Sequence, residues 1–176
     1  MSVAVSFRAA AVEDARAIAE VHVEGWRWGY RDILPATVLD TLDVDERTAR
    51  WTALLTDPRP GDRRVVAVDD GGPIVGFVAT GAADDDVAPP PEGAGELFAI
   101  YLRDGWQGRG LGRGLLAAAR RSLAEAGFAV AVLWVFDANE RARRVYEAGG
   151  WRPDGATGVH RFEGGERAVL RYELQV

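Results

Sequence analysis

The chain has 176 residues, 48% of them hydrophobic, and a formal net charge of -6. This length suits one compact domain, so we expect a single domain over residues 1–176. The acidic balance argues against a general nucleic-acid-binding protein, because such proteins carry an excess of basic side chains. The absence of cysteine excludes disulfides, thiolate metal sites and a cysteine nucleophile.

Other absences narrow the chemistry further. All 21 basic residues are arginine, which rules out a Walker phosphate loop and a Schiff-base lysine. His22 and His160 are isolated, so no metal site is expected. No basic segment precedes an apolar run at the start, and no run approaches the ~20 residues that span a bilayer. The expected protein is cytoplasmic, with neither a membrane nor a nucleic acid as its partner.

The first half of the chain predicts a strand, three helices and a β-hairpin. His22 lies on the apolar face of the first helix, which favours a packed core histidine over a catalytic one. In chain order the segments are the strand "VSFRAA", a helix from about Val12 to Trp26, the helix "ILPATVLDTL" with Pro35 in its first turn, the helix "DVDERTARWTALL" with Asp43 as N-cap, and the hairpin "RRVVAVDDGGPIVGFVATG".

The second half alternates strands and helices. A surface loop, "AADDDVAPPPEGAG", leads to the strand "ELFAIYL". The helix "LGRGLLAAARRSLAEAG" follows, with Leu115, Leu116, Ala119 and Leu123 on one stripe. The apolar strand "FAVAVLWVF" comes next, then a helix opened by Asp137 and Glu140 in capping-box spacing, and a final hairpin. These segments predict one α/β domain with a mixed sheet.

The stretch "QGRGLGRG", from Gln107 to Gly114, stands between a predicted strand and a predicted helix. Glycines there allow phosphate oxygens to approach backbone N–H groups at a helix start, and Arg109 and Arg113 can add charge-assisted hydrogen bonds. The G-x-G-x-x-G dinucleotide fingerprint is not met. The pattern is Q-x-x-G-x-G, formed by Gln107, Gly108, Arg109, Gly110, Leu111 and Gly112.

This pattern resembles the GCN5-related N-acetyltransferase (GNAT) superfamily, and the resemblance covers nearly the whole chain. "ELFAIYLRDGWQGRGLGRGLL" is similar to the family's fourth strand, pyrophosphate loop and third helix, and "NERARRVYEAGGW" is similar to its fourth helix. Asp104 and Trp151 depart from the residues that are common in the family. The resemblance implies a mixed, mostly antiparallel sheet flanked by helices, with a splay between strands 4 and 5.

The resemblance also implies acetyl-CoA as cosubstrate. The backbone of Ile100, Tyr101 and Leu102 would pair with the pantetheine amides, and an N–H near Leu102 would polarise the thioester carbonyl. The pyrophosphate would lie on the amides from Gln107 through Arg113. Asn139 would contact the cofactor arm from the start of the next helix.

Two residues match catalytic positions of the family. Tyr146 would protonate the departing CoA thiolate; the alternative is a tyrosine that only packs on the sheet. Glu96 heads the fourth strand and is predicted to project toward the side of Phe98, Ile100 and Leu102, where it would act as general base. The alternative is a strand-edge carboxylate that faces solvent.

The acceptor would be a small-molecule amine or a peptide or protein amine. The segment "EGWRWGYRDILP" would line its pocket with Trp26, Trp28, Tyr30 and Arg31, although Trp26 also has the spacing of a core residue. A catalytically silent acyl-CoA sensor and a nucleotide-binding regulatory module are the alternatives to an N-acetyltransferase. Similar proteins are often homodimers, and the chain is compatible with that state.

Overall fold

The computed structural model describes residues 5–84 and 88–176. Three residues of the predicted surface loop, 85–87, lie outside that description, as do residues 1–4. The strands are β1 (Val5–Ala9), β2 (Arg63–Asp69), β3 (Ile74–Ala82), β4 (Gly95–Leu102), β5 (Val130–Phe136), β6 (Arg152–Phe162) and β7 (Gly165–Gln175). The α-helices are α1 (Ala15–Gly29), α2 (Ala36–Asp40), α3 (Val44–Thr56), α4 (Leu111–Glu125) and α5 (Glu140–Ala148), and a short 3-10 turn spans Val12–Asp14.

The strands form one sheet in the order β1-β2-β3-β4-β5-β7-β6. β4 and β5 are parallel, and every other neighbouring pair is antiparallel. The parallel pair needs a long connection, which the glycine loop and α4 supply. This arrangement confirms the predicted mixed, mostly antiparallel sheet with flanking helices.

A different set of helices packs on each face of the sheet. On one face the predicted stripe of α4 packs against β2, β3 and β4, with Leu115 and Leu123 fully buried. On the other face Ile18 of α1 and Trp51 of α3 pack against Phe77 of β3. The apolar run of β5 is explained by burial of alternate residues in different clusters, since Leu133 lies in the cluster that contains the α4 stripe and Phe136 packs with Leu34 and Leu39.

Side-chain caps fix where two helices begin. The Asp43 carboxylate accepts a hydrogen bond from the Glu46 N–H at 2.7 Å, which confirms the predicted N-cap of α3. The predicted cap of α5 is wrong, since Asn139 and not Asp137 holds that position and accepts from the Ala142 N–H at 3.1 Å. The Asp137 carboxylate instead forms an ion pair with the Arg143 guanidinium, at 2.9 Å.

Candidate active site

A cavity opens where β4 and β5 separate. The two strands pair only at Gly95 with Ala131 and at Glu96 with Val132. Beyond these pairs a cavity of about 1010 Å³ lies between them, walled by α1, β4, the glycine loop, β5, α5 and β6. The short pairing confirms the predicted splay between the fourth and fifth strands. It also leaves the β5-facing edge of β4 without a strand partner for most of its length.

The loop between β4 and α4 is shaped by left-handed glycines. Gly105, Gly108 and Gly110 have φ angles of 77°, 77° and 81°, a region that L side chains rarely adopt. Gly110 is the N-cap of α4, and the first intrahelical bond runs from the Gly114 N–H to the Gly110 carbonyl at 3.2 Å. The N–H groups of residues 111–113 therefore have no acceptor within the helix, and they carry its positive dipole end.

The space over these N–H groups is open. A Cβ added to Gly112 would meet no atom within 4 Å outside its own helix backbone. Gly112, Gly108 and Gly110 all line the cavity. The start of α4 thus has the donors, the dipole and the room that a phosphate group requires.

Arg103 anchors the beginning of this loop, a role that the sequence patterns did not reveal. Its guanidinium lies 3.0 Å from Glu20 and 2.5 Å from Glu24, both on α1, and its Nε donates to the Ile74 carbonyl at 2.9 Å. The Gln107 side-chain amide in turn donates to the Arg103 carbonyl at 2.9 Å. These bonds link the end of β4 to α1 and β3 and fix the start of the glycine loop at Gln107.

Most residues predicted from the resemblance to contact the cofactor line the cavity. The two exceptions are Arg109, whose guanidinium stacks 4.8 Å from the Trp106 ring centre, and Leu111, which packs on the hydrophobic core. The cavity-lining members of the predicted set are Ile100, Tyr101, Leu102, Gln107, Gly108, Gly110, Gly112, Arg113 and Asn139.

Tyr146 projects from α5 into the same cavity. Its ring lies edge-on to Trp151, with 6.5 Å between ring centres. Burial raises the pKa of Tyr146, so its phenol is protonated at neutral pH. Asn139 caps the helix that carries it and lines the cavity as well. A protonated phenol therefore borders the space in which the β4 edge is unpaired.

The four residues predicted for the acceptor pocket come together at one wall of the cavity. Trp26, Trp28, Tyr30 and Arg31 all line it, and Trp26 also contacts the His22 ring at 6.1 Å between ring centres. Trp26 is thus both a packing residue and a cavity residue. The Tyr30 hydroxyl is 2.9 Å from the Tyr101 hydroxyl of β4, which joins the end of α1 to the strand.

A β-bulge changes the position of Glu96. The pairing of β3 with β4 passes over Phe98, which is an extra residue in β4. Leu97 consequently packs in the same cluster as Ile100 and Leu102. Glu96 projects from the opposite face, the one covered by α1, so the prediction that it shares a side with Ile100 and Leu102 is wrong. Glu96 is not among the cavity-lining residues.

His160 of β6 lines the cavity, although the sequence patterns did not single it out as a site residue. Its ring contacts Trp26 and Phe136, with 6.0 and 5.3 Å between ring centres. Burial lowers the pKa of His160, so the imidazole is neutral at pH 7. The alternation of side chains along the final hairpin is the sequence signal that could have indicated this position, because Ala156, Gly158 and His160 occupy one face of β6.

Two absences hold for the described residues 5–84 and 88–176. Within these ranges no group of three His, Cys, Asp or Glu side chains could hold a metal ion. No helix in them is both long enough and apolar enough to cross a bilayer.

Comparisons with known proteins agree with this geometry. The Acetyltransferase (GNAT) family model matches residues 23–151. The uncharacterized N-acetyltransferase YuaI of Bacillus subtilis is 36% identical over 136 residues, which cover 77% of this chain and 73% of that one.

Solved structures share the fold over 98% of the chain. PaiA N-acetyltransferase from Thermoplasma acidophilum, in complex with coenzyme A, has a TM-score of 0.73 and 19% identity over 98% of this chain and 99% of that one. YncA from Salmonella typhimurium, with acetyl-CoA, has a TM-score of 0.72 and 22% identity over 98% and 94%. The family match begins in α1, includes the glycine loop and ends just after α5. The chain therefore belongs to the acetyltransferase (GNAT) family.

Proposed function

We propose that this protein transfers the acetyl group of acetyl-CoA to a primary amine, which attacks the thioester directly in a ternary complex. The observation that carries the proposal is the unpartnered edge of β4, which borders a cavity with free helix N–H groups at one end and Tyr146 in its wall. Coenzyme A and acetyl-CoA in two structures of the same fold support the choice of cosubstrate.

The donor would bind along β4. Its pantetheine amides would pair with the backbone of Ile100, Tyr101 and Leu102, in the way that an added strand pairs with an open edge. Its pyrophosphate would lie on the N–H groups of residues 107–113, next to the Arg113 side chain that lines the cavity. An N–H near Leu102 would stabilise the oxygen of the attacked thioester.

Tyr146 would give its proton to the departing sulfur. Burial raises the pKa of this phenol, which by itself makes it a weaker acid. The same low-polarity surroundings also disfavour the charged thiolate and therefore raise the pKa of the leaving thiol. Proton transfer that accompanies C–S cleavage is thus consistent with a buried tyrosine.

The amine must first lose a proton. An alkylammonium has a pKa near 10.4, so forming the free amine at pH 7 costs about 4–5 kcal/mol. Glu96 is the general base that the family resemblance suggests, directly or through water. It lies on the face of the sheet covered by α1, beside the point where β4 and β5 separate.

The test incubates the protein with acetyl-CoA and a panel of primary amines: 2-phenylethylamine, spermidine, an α-amino acid and a peptide with a free N-terminus. A thiol reagent then reports only released CoA, because the protein contains no cysteine. We expect release that depends on an amine. Binding of acetyl-CoA without release for any amine would favour a silent acyl-CoA sensor, and no binding would refute the donor assignment.

The variant Tyr146→Phe tests whether Tyr146 is the general acid that protonates the departing thiolate. We expect kcat to fall by about 10²-fold or more, with little change in the affinity for acetyl-CoA. Tyr172→Phe is the matched control, since it removes a buried phenol hydroxyl that donates to Glu147 at 2.8 Å and does not line the cavity. Unchanged turnover of Tyr146→Phe would remove this residue from the proton-donating role.

A further inference from the structure

The chemistry of the proposed function requires a proton acceptor inside the cavity, and the following inference rests on that function. The acceptor amine arrives mainly as an ammonium at neutral pH, and its nitrogen can attack only after it has lost a proton. The base must therefore face the space where the amine lies, and it must be unprotonated at pH 7.

The carboxylates that line the cavity do not meet this requirement. Asp32 lies 3.5 Å from Arg31 and has an 89% exposed side chain. Glu140 lies 3.2 Å from Arg144 and has a 75% exposed side chain. Both groups are at the solvent-facing rim and are held by cations, so neither reaches the enclosed part of the cavity.

The phenols are unsuitable for a different reason. Burial raises the pKa of Tyr30, of Tyr101 and of Tyr146, so all three keep their protons at neutral pH. The Tyr30 and Tyr101 hydroxyls also share one hydrogen bond, at 2.9 Å. They can donate to a substrate, but they cannot take the proton of an ammonium.

Among the described residues that line the cavity, His160 is the remaining side chain that can accept a proton at neutral pH. The edge-to-face contacts with Trp26 and Phe136 hold its ring, at interplanar angles of 64° and 88°. Within the described residues neither ring nitrogen has a hydrogen-bond partner in the protein. A neutral imidazole fixed in this way has a free lone pair for a ligand in the cavity.

We infer that His160 is the general base that accepts the proton of the acceptor amine. The ammonium gives a proton to the imidazole, and the nitrogen lone pair then forms the C–N bond at the thioester carbonyl carbon. The C–S bond breaks, and its electron pair goes to sulfur, which takes the Tyr146 proton. The new amide nitrogen loses its second proton to solvent as the C–S bond breaks. His160 afterwards releases its proton to solvent as well, and Tyr146 regains one from solvent, so that one net proton is released for each amide formed.

The charged and titratable groups around His160 support a neutral imidazole. Arg167 is its cross-strand neighbour on β7, and the Arg167 Nε donates to the Ile33 carbonyl at 2.7 Å. Tyr30, at the end of α1, lines the same cavity and contacts the same Trp26 and Phe136 rings, while Arg31 and Asp32 follow at the rim. From β5 it meets the uncharged Phe136 ring. The same burial disfavours an ammonium beside it, which makes the bound amine a stronger acid.

The test compares two acceptors of nearly equal shape. 2-Phenylethylamine is an ammonium at pH 7.5, whereas O-benzylhydroxylamine carries an aminooxy nitrogen that is already unprotonated. His160→Gln should lower kcat for 2-phenylethylamine by about 10²-fold and should have a much smaller effect on O-benzylhydroxylamine. Because burial lowers the pKa of His160, the wild-type kcat with 2-phenylethylamine should fall only on the acid side of the ordinary imidazole pKa of about 6.5, and His160→Gln should lack this decline.

Arg161→Gln is the matched control, because Arg161 is the next residue of β6 and its side chain is 77% exposed. It should behave as the wild type with both acceptors. An equal loss with both acceptors in His160→Gln would show a purely structural role and would overturn the inference. It would also be overturned if Glu96→Gln, and not His160→Gln, showed the acceptor-dependent loss.

The same assay separates this inference from the proposed function. Release of CoA with other amines of the panel, but with neither aromatic acceptor, would overturn the base assignment alone. The absence of release with every amine would overturn the proposed function and this inference with it.

Discussion

The variant Gly112→Val should weaken the binding of acetyl-CoA without destabilising the folded protein. Gly112 is in the first turn of α4, its φ is not among the positive values, and an added Cβ would meet no atom within 4 Å outside its own helix backbone. Valine is a better helix former than glycine by a few tenths of a kcal/mol, so the free energy of unfolding should stay equal or rise slightly. Gly110→Val is a poorer test, because the φ of 81° at Gly110 adds strain to any binding effect.

The expected loss in donor binding follows from the N–H groups at the start of α4. Two methyl groups over them would remove at least one hydrogen bond to a charged phosphate, which contributes about 1.5–3 kcal/mol. The Kd for acetyl-CoA should therefore rise roughly 10- to 100-fold.

Calorimetric titration measures the Kd, and urea unfolding of the free protein measures stability. Ala117→Val adds similar bulk to an exposed position of the same helix and should leave the Kd unchanged. A Gly112→Val variant with wild-type affinity would refute the placement of the pyrophosphate.

The remaining predictions concern the packing around the cavity. Burial and the charges of nearby arginines lower the pKa of His22 to about 3. Below pH 6.5 the unfolded chain therefore binds a proton at this histidine, whereas the folded protein keeps it neutral. The free energy of unfolding should fall with a slope that approaches about 1.4 kcal/mol per pH unit, for a total of about 2.3 kcal/mol between pH 6.5 and 4.5. Urea unfolding curves of His22→Gln should lack this component, and parallel pH dependences of the two proteins would contradict it. Gly25→Ala should destabilise by about 1–3 kcal/mol, since its Cβ would lie 2.6 Å from the Tyr101 ring; a wild-type Tm would contradict this contact. Asp43→Ala should cost about 1 kcal/mol in the same unfolding assay through loss of its cap to Glu46, whereas Asp43→Asn, which keeps an acceptor oxygen, should not.

Local patterns predicted much of the donor side of the site. The glycine loop lies where expected because its conformation is set by the backbone freedom of Gly105, Gly108 and Gly110 and by the helix that follows. The cap at Asp43 also depends only on residues within one turn. Such features need no information from distant segments. The family resemblance added the roles that the glycine loop and the residues near it would have in binding acetyl-CoA.

Positions that depend on register or on distant strands could not be predicted in this way. The bulge at Phe98 reverses the face of Glu96, because a single extra residue shifts the two-residue period of β4. His160 reaches the cavity only because β6 pairs with β7 at the far edge of the sheet and brings its ring against Trp26 of α1.

By itself, then, the sequence determined the mixed sheet, the order of its elements and the glycine loop at the start of α4, since periodicity and backbone preference act over a few residues. The tertiary structure alone decided which side chains share the cavity. Tyr30 and Tyr101 meet at 2.9 Å across 71 positions of the chain, and His160 is neutral because segments far apart in sequence bury it. Proximity and desolvation arise from packing, and no local pattern specifies them.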